Sequence, residues 1–148
     1  MTRHGTLTFE RQLKKPPATV FKAFADTDAR SIWAPPTPDL NMTYSESDFR
    51  TGGRDLCVCG PGPAEGVTVE TLYHAITEGR QIVMTEIIGT PDGAETVALV
   101  TTELSARSTG TELKVTIQGV SLGEMDGLAE MEGGWTAALA NLERYLDG

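Results

Sequence analysis

Residues 124–146, EMDGLAEMEGGWTAALANLERYL, contain apolar side chains at the spacing of one face of an α-helix. Successive apolar positions are three or four residues apart, which matches a repeat of 3.6 residues per turn. The stripe consists of Met125, Leu128, Met131, Trp135, Leu139, Leu142 and Leu146. We therefore predict one long amphipathic helix over Glu124–Leu146, whose apolar face the rest of the chain must cover.

The segments upstream of this helix mostly show the two-residue alternation of β-strands. Leu113, Val115 and Ile117, for example, alternate with polar side chains. The elements predicted in order are a strand at Thr6–Leu13, short helices at Ala18–Ala25 and Ala29–Trp33, and strands at Asn41–Ser47, Arg54–Cys59, Gly66–Ile76, Arg80–Ile88, Glu95–Ala106 and Glu112–Val120. Short connections predict an antiparallel meander, and strands segregated from a covering helix predict an α+β fold of about seven strands.

Length and charge exclude several classes of protein. The chain has 148 residues, which is the size of a single domain spanning residues 1–148, and its formal net charge is -9. Such a charge disfavours nucleic acid and anionic membrane surfaces as partners. No apolar run approaches the ~18 residues of a transmembrane helix, and the N-terminus lacks the apolar region of a secretory signal. We therefore expect a soluble cytoplasmic domain.

Four motifs, taken in order along the chain, together resemble those of one known family. They are Pro17-x-x-Val20-Phe21-x-Ala23-Phe24 followed by Trp33 and Pro36, then Asp48-x-Arg50-x-Gly52-Gly53, then Gly110-Thr111-x-Leu113, and finally Gly134-Trp135-x-x-x-Leu139-x-x-Leu142. From about Thr6 to Leu146 the chain resembles the domain named for the activator of the heat-shock-protein-90 ATPase, in the START-like (SRPBCC, birch-pollen-allergen-like) superfamily.

This resemblance implies a helix-grip fold, in which a curved antiparallel sheet wraps one long C-terminal helix and leaves a hydrophobic cavity between them. It implies no single activity, because the fold hosts lipid carriers, hormone receptors, cyclases, dehydratases and chaperone cofactors. The chain departs from the family pattern at Thr85-Glu86, where relatives often have Thr-Trp. A carboxylate thus stands where an aromatic side chain is expected.

Glu86 and His74 are the candidates for acid or base chemistry. If Glu86 shares the concave face with Met84 and Ile88, removal from water raises its pKa and suits it to proton transfer. The alternative is that Val83 and Ile87 face inward, which leaves Glu86 in solvent; both faces of this strand are apolar, so periodicity does not decide. His74 is expected on the face of Ile76, as a base, as a ligand contact or as an ordinary sheet histidine.

The large side chains expected around a cavity are Trp33, Tyr44, Tyr73, Met131 and Trp135, with Glu86 as the polar contact. An ordinary core would use the same face, so the two interpretations overlap. Arg50 and Arg54 either bind a ligand carboxylate at the mouth or form surface ion pairs.

Cys57 and Cys59 lie on one face of one strand and are interpreted as small packing residues, since two thiols alone do not form a metal site. No metal or cofactor motif is present, so we expect neither.

Three functions remain open at this stage. The first is binding of a small hydrophobic or aromatic molecule, the second is a polyketide cyclase/dehydratase-like enzyme that uses Glu86 or His74, and the third is a chaperone-cofactor-like interaction module. The edges of a long sheet need protection, so we also consider a homodimer. Gly133-Gly134 lies within the predicted helix at a cost of about 1 kcal/mol per glycine relative to alanine. We interpret the pair as a place where the helix bends or where the sheet or a ligand approaches.

Overall fold

A computed structural model describes residues 2–148. Within this range the chain forms seven strands and three helices: β1 (Arg3–Leu13), α1 (Pro17–Ala25), α2 (Thr27–Trp33), β2 (Asn41–Ser47), β3 (Arg54–Gly62), β4 (Glu65–Thr77), β5 (Gln81–Thr90), β6 (Gly93–Arg107), β7 (Gly110–Ser121) and α3 (Gly127–Asp147). The predicted α+β helix-grip fold, with two short helices after the first strand, is confirmed.

All seven strands belong to one curved antiparallel sheet in the order β1-β7-β6-β5-β4-β3-β2. The strands from β2 to β7 pair with their neighbours in sequence, as the short connections predict. β1 pairs with β7, so the segment that holds α1 and α2 crosses from one edge of the sheet to the other. This crossing brings α2 to the end of the cavity opposite β1.

The apolar stripe of α3 packs on the concave face of the sheet. Leu139 and Leu142 are fully buried, and they meet a sheet core that includes Val115 and Ile117. Burial of each such side chain contributes about 1.5–3 kcal/mol to folding. The C-terminal half of α3 therefore packs directly against the sheet as part of the core.

The predicted start of the C-terminal helix is wrong by three residues. α3 begins at Gly127, because the Asp126 side chain accepts a hydrogen bond from the backbone N–H of Ala129 at 3.1 Å and caps the helix. Met125 therefore precedes the helix and is 65% exposed instead of forming part of the buried stripe. The other boundaries differ from the prediction by a few residues, the usual uncertainty at element ends.

The two short helices place a tryptophan and an arginine beneath the sheet. Asp26 ends α1 and caps α2, where its carboxylate accepts from the backbone N–H of Asp28 at 3.0 Å. The indole N–H of Trp33 donates to the backbone carbonyl of Ala23 at 3.0 Å, which fixes the ring in the core. Arg30, one turn earlier on α2, is buried as well.

Candidate functional site

A cavity of about 580 Å³ lies between the concave face of the sheet, α2 and the N-terminal half of α3. Its wall is mostly apolar, with side chains from the sheet and from both helices. Representative lining residues are Trp33, Met42, Val69, Met84, Ile88 and Met131. This volume falls in the range of pockets that hold small organic ligands, about 300–1,000 Å³.

The six residues predicted for a ligand site all line this cavity: Trp33, Tyr44, Tyr73, Glu86, Met131 and Trp135. They differ in how much of each is accessible. Trp33, Tyr73 and Met131 are almost entirely buried, so they serve the core as well as the wall. Tyr44, Glu86 and Trp135 are only partly buried. Their role as ligand contacts remains a prediction.

Glu86 lies on the concave face of β5, between Met84 and Ile88, which also line the cavity. In the register of the sheet it stands opposite Thr71 of β4 and Ala98 of β6. Burial raises the pKa of its carboxyl to about 7, and hydrogen bonding by the Trp135 side chain offsets part of this rise. Of the two orientations left open by the sequence, the structure therefore has the one in which Glu86 faces the cavity.

His74 lies outside the cavity, on the exposed surface of β4. The register with β5 shifts between Tyr73 and Ala75, so one extra residue interrupts the two-residue period. Tyr73 and Ile76 consequently point inward, whereas His74 points outward with Nε2 2.8 Å from Thr85 Oγ1. The predicted shared face with Ile76 is wrong, and His74 does not reach the site.

A buried polar cluster of Arg30, Asp55 and Tyr73 forms one wall of the cavity, and sequence reasoning missed two of its three members. An Nη atom of Arg30 lies 2.6 Å from a carboxylate oxygen of Asp55 and 2.6 Å from the hydroxyl of Tyr73. The Tyr73 hydroxyl in turn donates to the same carboxylate oxygen at 2.6 Å. The second carboxylate oxygen accepts from the backbone N–H of Asp48 at 3.0 Å.

The cluster keeps its charges by mutual pairing. Burial alone would lower the pKa of Arg30, but the neighbouring Tyr73, Tyr44 and Asp55 together raise it, so the guanidinium stays charged. The guanidinium carbon also lies 5.2 Å from the centre of the Tyr44 ring, within reach of a cation–π contact. Burial raises the pKa of both tyrosines, so both hydroxyls are neutral. One signal was available in the sequence, since Asp55 shares the face of Cys57 and Cys59 at a spacing of two.

The turn at Gly52-Gly53 holds Tyr73 in this cluster. The backbone N–H of Gly52 donates to the Tyr73 carbonyl at 2.8 Å, and the Tyr73 N–H donates to the Gly53 carbonyl at 3.0 Å. Gly52 has a φ of 85°, and a Cβ at Gly53 would lie 2.1 Å from the Asp48 carbonyl oxygen. Side chains are therefore excluded from both positions.

Arg50 and Arg54 form ion pairs near the surface, whereas the two cysteines lie in the cavity wall. Arg50 pairs with Asp48 at 2.8 Å and Arg54 pairs with Glu70 at 2.9 Å, both partly or largely exposed and neither at the cavity wall. Cys57 and Cys59 are free thiols in the wall, and burial raises the pKa of both, that of Cys57 to about 12. They are therefore thiols and not thiolates at neutral pH. Among residues 2–148, no group of three or more metal-ligating side chains occurs.

The model of the family described as "Activator of Hsp90 ATPase homolog 1-like protein" matches residues 14–147. The chain belongs to this family. Among curated proteins, a sequence search finds no match. No helix in the described part of the chain is long and apolar enough to cross a membrane.

Solved structures of proteins from other organisms have the same fold as this chain. A protein from Rhizobium leguminosarum is 27% identical, with a TM-score of 0.83 over 99% of this chain and 97% of its own. A protein from Rhizobium loti is 26% identical, with a TM-score of 0.85 over 98% of this chain and 99% of its own. A protein from Chromobacterium violaceum, 23% identical over 95% of this chain and 96% of its own, has a TM-score of 0.77.

Proposed function

We propose that this protein binds a small hydrophobic or aromatic molecule in the cavity between the sheet and α3. The observation that carries the proposal is the cavity itself, about 580 Å³, which lies beside a core in which Leu139 and Leu142 are fully buried. Its wall combines aliphatic and aromatic side chains with a few polar groups, which is the usual composition of a small-molecule site. An apolar void of this size without a ligand forgoes the contacts that its wall would otherwise make.

The helix glycines support the same proposal. α3 runs unbroken through Gly133 and Gly134, and a Cβ at either would meet no atom within 4 Å. Packing within the protein therefore does not require glycine at Gly134, which lines the cavity. A ligand lying against the backbone there would account for its absence of a side chain.

Native mass spectrometry of freshly purified protein tests the proposal directly. We expect an added mass that is released on denaturation, and the molecule is identified after extraction. Gly134→Leu should abolish this added mass, because the new side chain extends into the cavity. Gly133→Leu is the matched control, since Gly133 is exposed and away from the cavity wall, and it should retain the ligand.

The setting of Glu86 favours a second candidate, a polyketide cyclase/dehydratase-like enzyme. A carboxyl group with a pKa of about 7 in an apolar cavity is suited to accept and return a proton near neutral pH. In a dehydration, Glu86 would take a proton from the carbon next to a carbonyl and return it to the β-hydroxyl, which would leave as water while a carbon–carbon double bond forms. If the extracted ligand loses one water molecule on incubation with wild-type protein but not with Glu86→Gln, this candidate stands; equal conversion by the two proteins would eliminate it.

The interaction-module hypothesis has less support. It requires a broad exposed apolar patch. The exposed large apolar side chains lie instead in α2, in β6, in the loop before α3 and near the end of α3: Ile32, Leu99, Leu122, Met125 and Tyr145.

A further inference from the structure

Most of the charged side chains that line the cavity are acidic. They comprise four carboxylates and one guanidinium, namely Asp55, Glu86, Glu95, Glu130 and Arg30. Arg30 is paired with Asp55 at 2.6 Å, so this pair contributes little net charge. Glu95 and Glu130 are exposed and mark the solvent side of the cavity. Glu86 is therefore the carboxylate that lies inside the cavity without a basic partner among the described residues.

Glu86 has no basic partner among residues 2–148, since none of the ion pairs in this range includes it. The groups that face it are neutral. They are Trp135 on α3, Tyr44 on β2, Cys57 on β3, Thr71 on β4 and Ala98 on β6. Arg30 of α2 is the basic side chain in the described wall. Its two Nη atoms donate to Asp55, Tyr73, Thr27 and Ser47, whereas its buried Nε has no hydrogen-bond partner among residues 2–148.

We propose that the molecule bound in this cavity carries a protonated nitrogen on an apolar or aromatic body, and that Glu86 binds this nitrogen. The inference rests on the proposed function and names the chemical class of its ligand. The geometry behind it is a carboxylate at the concave face of the sheet, open to the cavity and without a cation of its own.

The physical reason is the cost of isolating a carboxylate from water. An ionised carboxylate in an apolar site is unfavourable unless a cation or hydrogen-bond donors compensate it. An ammonium or amidinium group supplies both the charge and the donors, and its hydrogen bond to the carboxylate is of the strong, charge-assisted kind. A ligand carboxylate at the same place would be repelled.

Binding of a cationic ligand at Glu86 should depend on pH. Glu86 has a pKa of about 7, so it is mostly protonated at pH 5.5 and mostly ionised at pH 8. Only the ionised form binds a cation, so affinity for a cationic ligand should rise with pH across this window. The ionised fraction increases by about thirtyfold between the two values, which sets the upper limit of the change in Kd.

Three probes of one size separate the possibilities: 1-naphthylmethylamine, 1-naphthylmethanol and 1-naphthylacetate, as cation, neutral molecule and anion. Isothermal titration calorimetry of each with the wild-type protein is performed at pH 5.5 and pH 8. We expect the amine to bind at pH 8 about tenfold more tightly than the alcohol, as one charge-assisted hydrogen bond provides. The preference should largely disappear at pH 5.5, and the acetate should bind most weakly at pH 8.

Variants identify the group responsible. Glu86→Gln should bind the amine and the alcohol equally at both pH values, while Glu95→Gln, at the exposed side, should retain the preference for the amine. Equal binding of amine and alcohol by the wild-type protein at pH 8 would overturn the inference but leave the proposed function standing. Loss of the preference in Glu95→Gln alone would also overturn it. Failure of all three probes to bind at millimolar concentration would refute the proposed function itself.

Discussion

Replacement of Asp55 by asparagine tests the buried polar cluster most severely. Asparagine preserves the shape of the side chain but removes the charge that Arg30 meets at 2.6 Å. Both side chains are nearly inaccessible, 10% exposed for Arg30 and 3% for Asp55, so water cannot replace the lost partner. Removal of one member of a buried ion pair costs about 3–5 kcal/mol, because the other charge is left uncompensated. We expect Asp55→Asn to lower the free energy of unfolding by this amount.

Urea denaturation followed by circular dichroism provides the measurement. Tyr73→Phe, which removes only the hydroxyl between the two charged groups, should cost less, about 1–2 kcal/mol. Arg50→Gln is the control, since it breaks the exposed pair with Asp48 and should cost less than about 1 kcal/mol. The comparison requires that the variants and the wild-type protein have the same m, the slope of unfolding free energy against urea concentration. An unchanged m indicates that the variants expose the same surface on unfolding as the wild-type protein.

Two results would refute the reasoning. If Asp55→Asn lowers the free energy of unfolding by less than about 1 kcal/mol, Arg30 is not left as a buried charge without a partner in the variant. Strict additivity of Asp55→Asn and Tyr73→Phe in the double variant would mean that the three groups do not act as one network, since residues in contact normally show a coupling energy.

The remaining predictions concern Glu86 and α3. The pKa of Glu86 is raised on folding from 4.5 to about 7, so the folded state holds its proton more tightly than the unfolded state. The wild-type protein should therefore lose stability relative to Glu86→Gln as pH rises through this window, by on the order of 3 kcal/mol. Equal slopes of unfolding free energy against pH in the two proteins would contradict this prediction. Gly134→Ala and Gly133→Ala should each raise the thermal midpoint through a gain of about 1 kcal/mol, since neither Cβ meets a clash; a fall in either would reveal a hidden contact. Asp126→Ala should cost about 1 kcal/mol in urea denaturation, whereas Glu124→Ala, outside the cap, should be neutral.

Periodicity predicts the elements of this chain well because the buried faces are nearly continuous. Leu139 and Leu142 fall on the helical stripe, and Val115 and Ile117 on the strand alternation, and all four are fully buried. The stripe fails at Met125 for a local reason, since the cap at Asp126 starts the helix after it. The helix start is therefore determined by the capping hydrogen bond and not by one further apolar residue at helical spacing.

The site is less accessible to sequence reasoning than the fold. Glu86 lies in a strand whose two faces are both apolar, so a period of two gives no orientation, and only the register with β4 and β6 decides it. His74 is displaced by one extra residue in β4, which no sequence signal marks. Arg30 meets Asp55 across 25 positions of sequence, a contact that depends on the crossing of α2 under the sheet.

Trp33 and Trp135 are the only tryptophans in the sequence, and both line the cavity. The tryptophan fluorescence of the protein therefore comes entirely from the wall of the proposed site, so no label is needed to follow its occupancy. The two emitters differ in what they sense. Trp33 is fixed by its bond to Ala23 and serves as an internal reference, whereas Trp135 borders Glu86 and should change its emission as that carboxyl gains or loses its proton. One titration with and without ligand should thus report occupancy and protonation together.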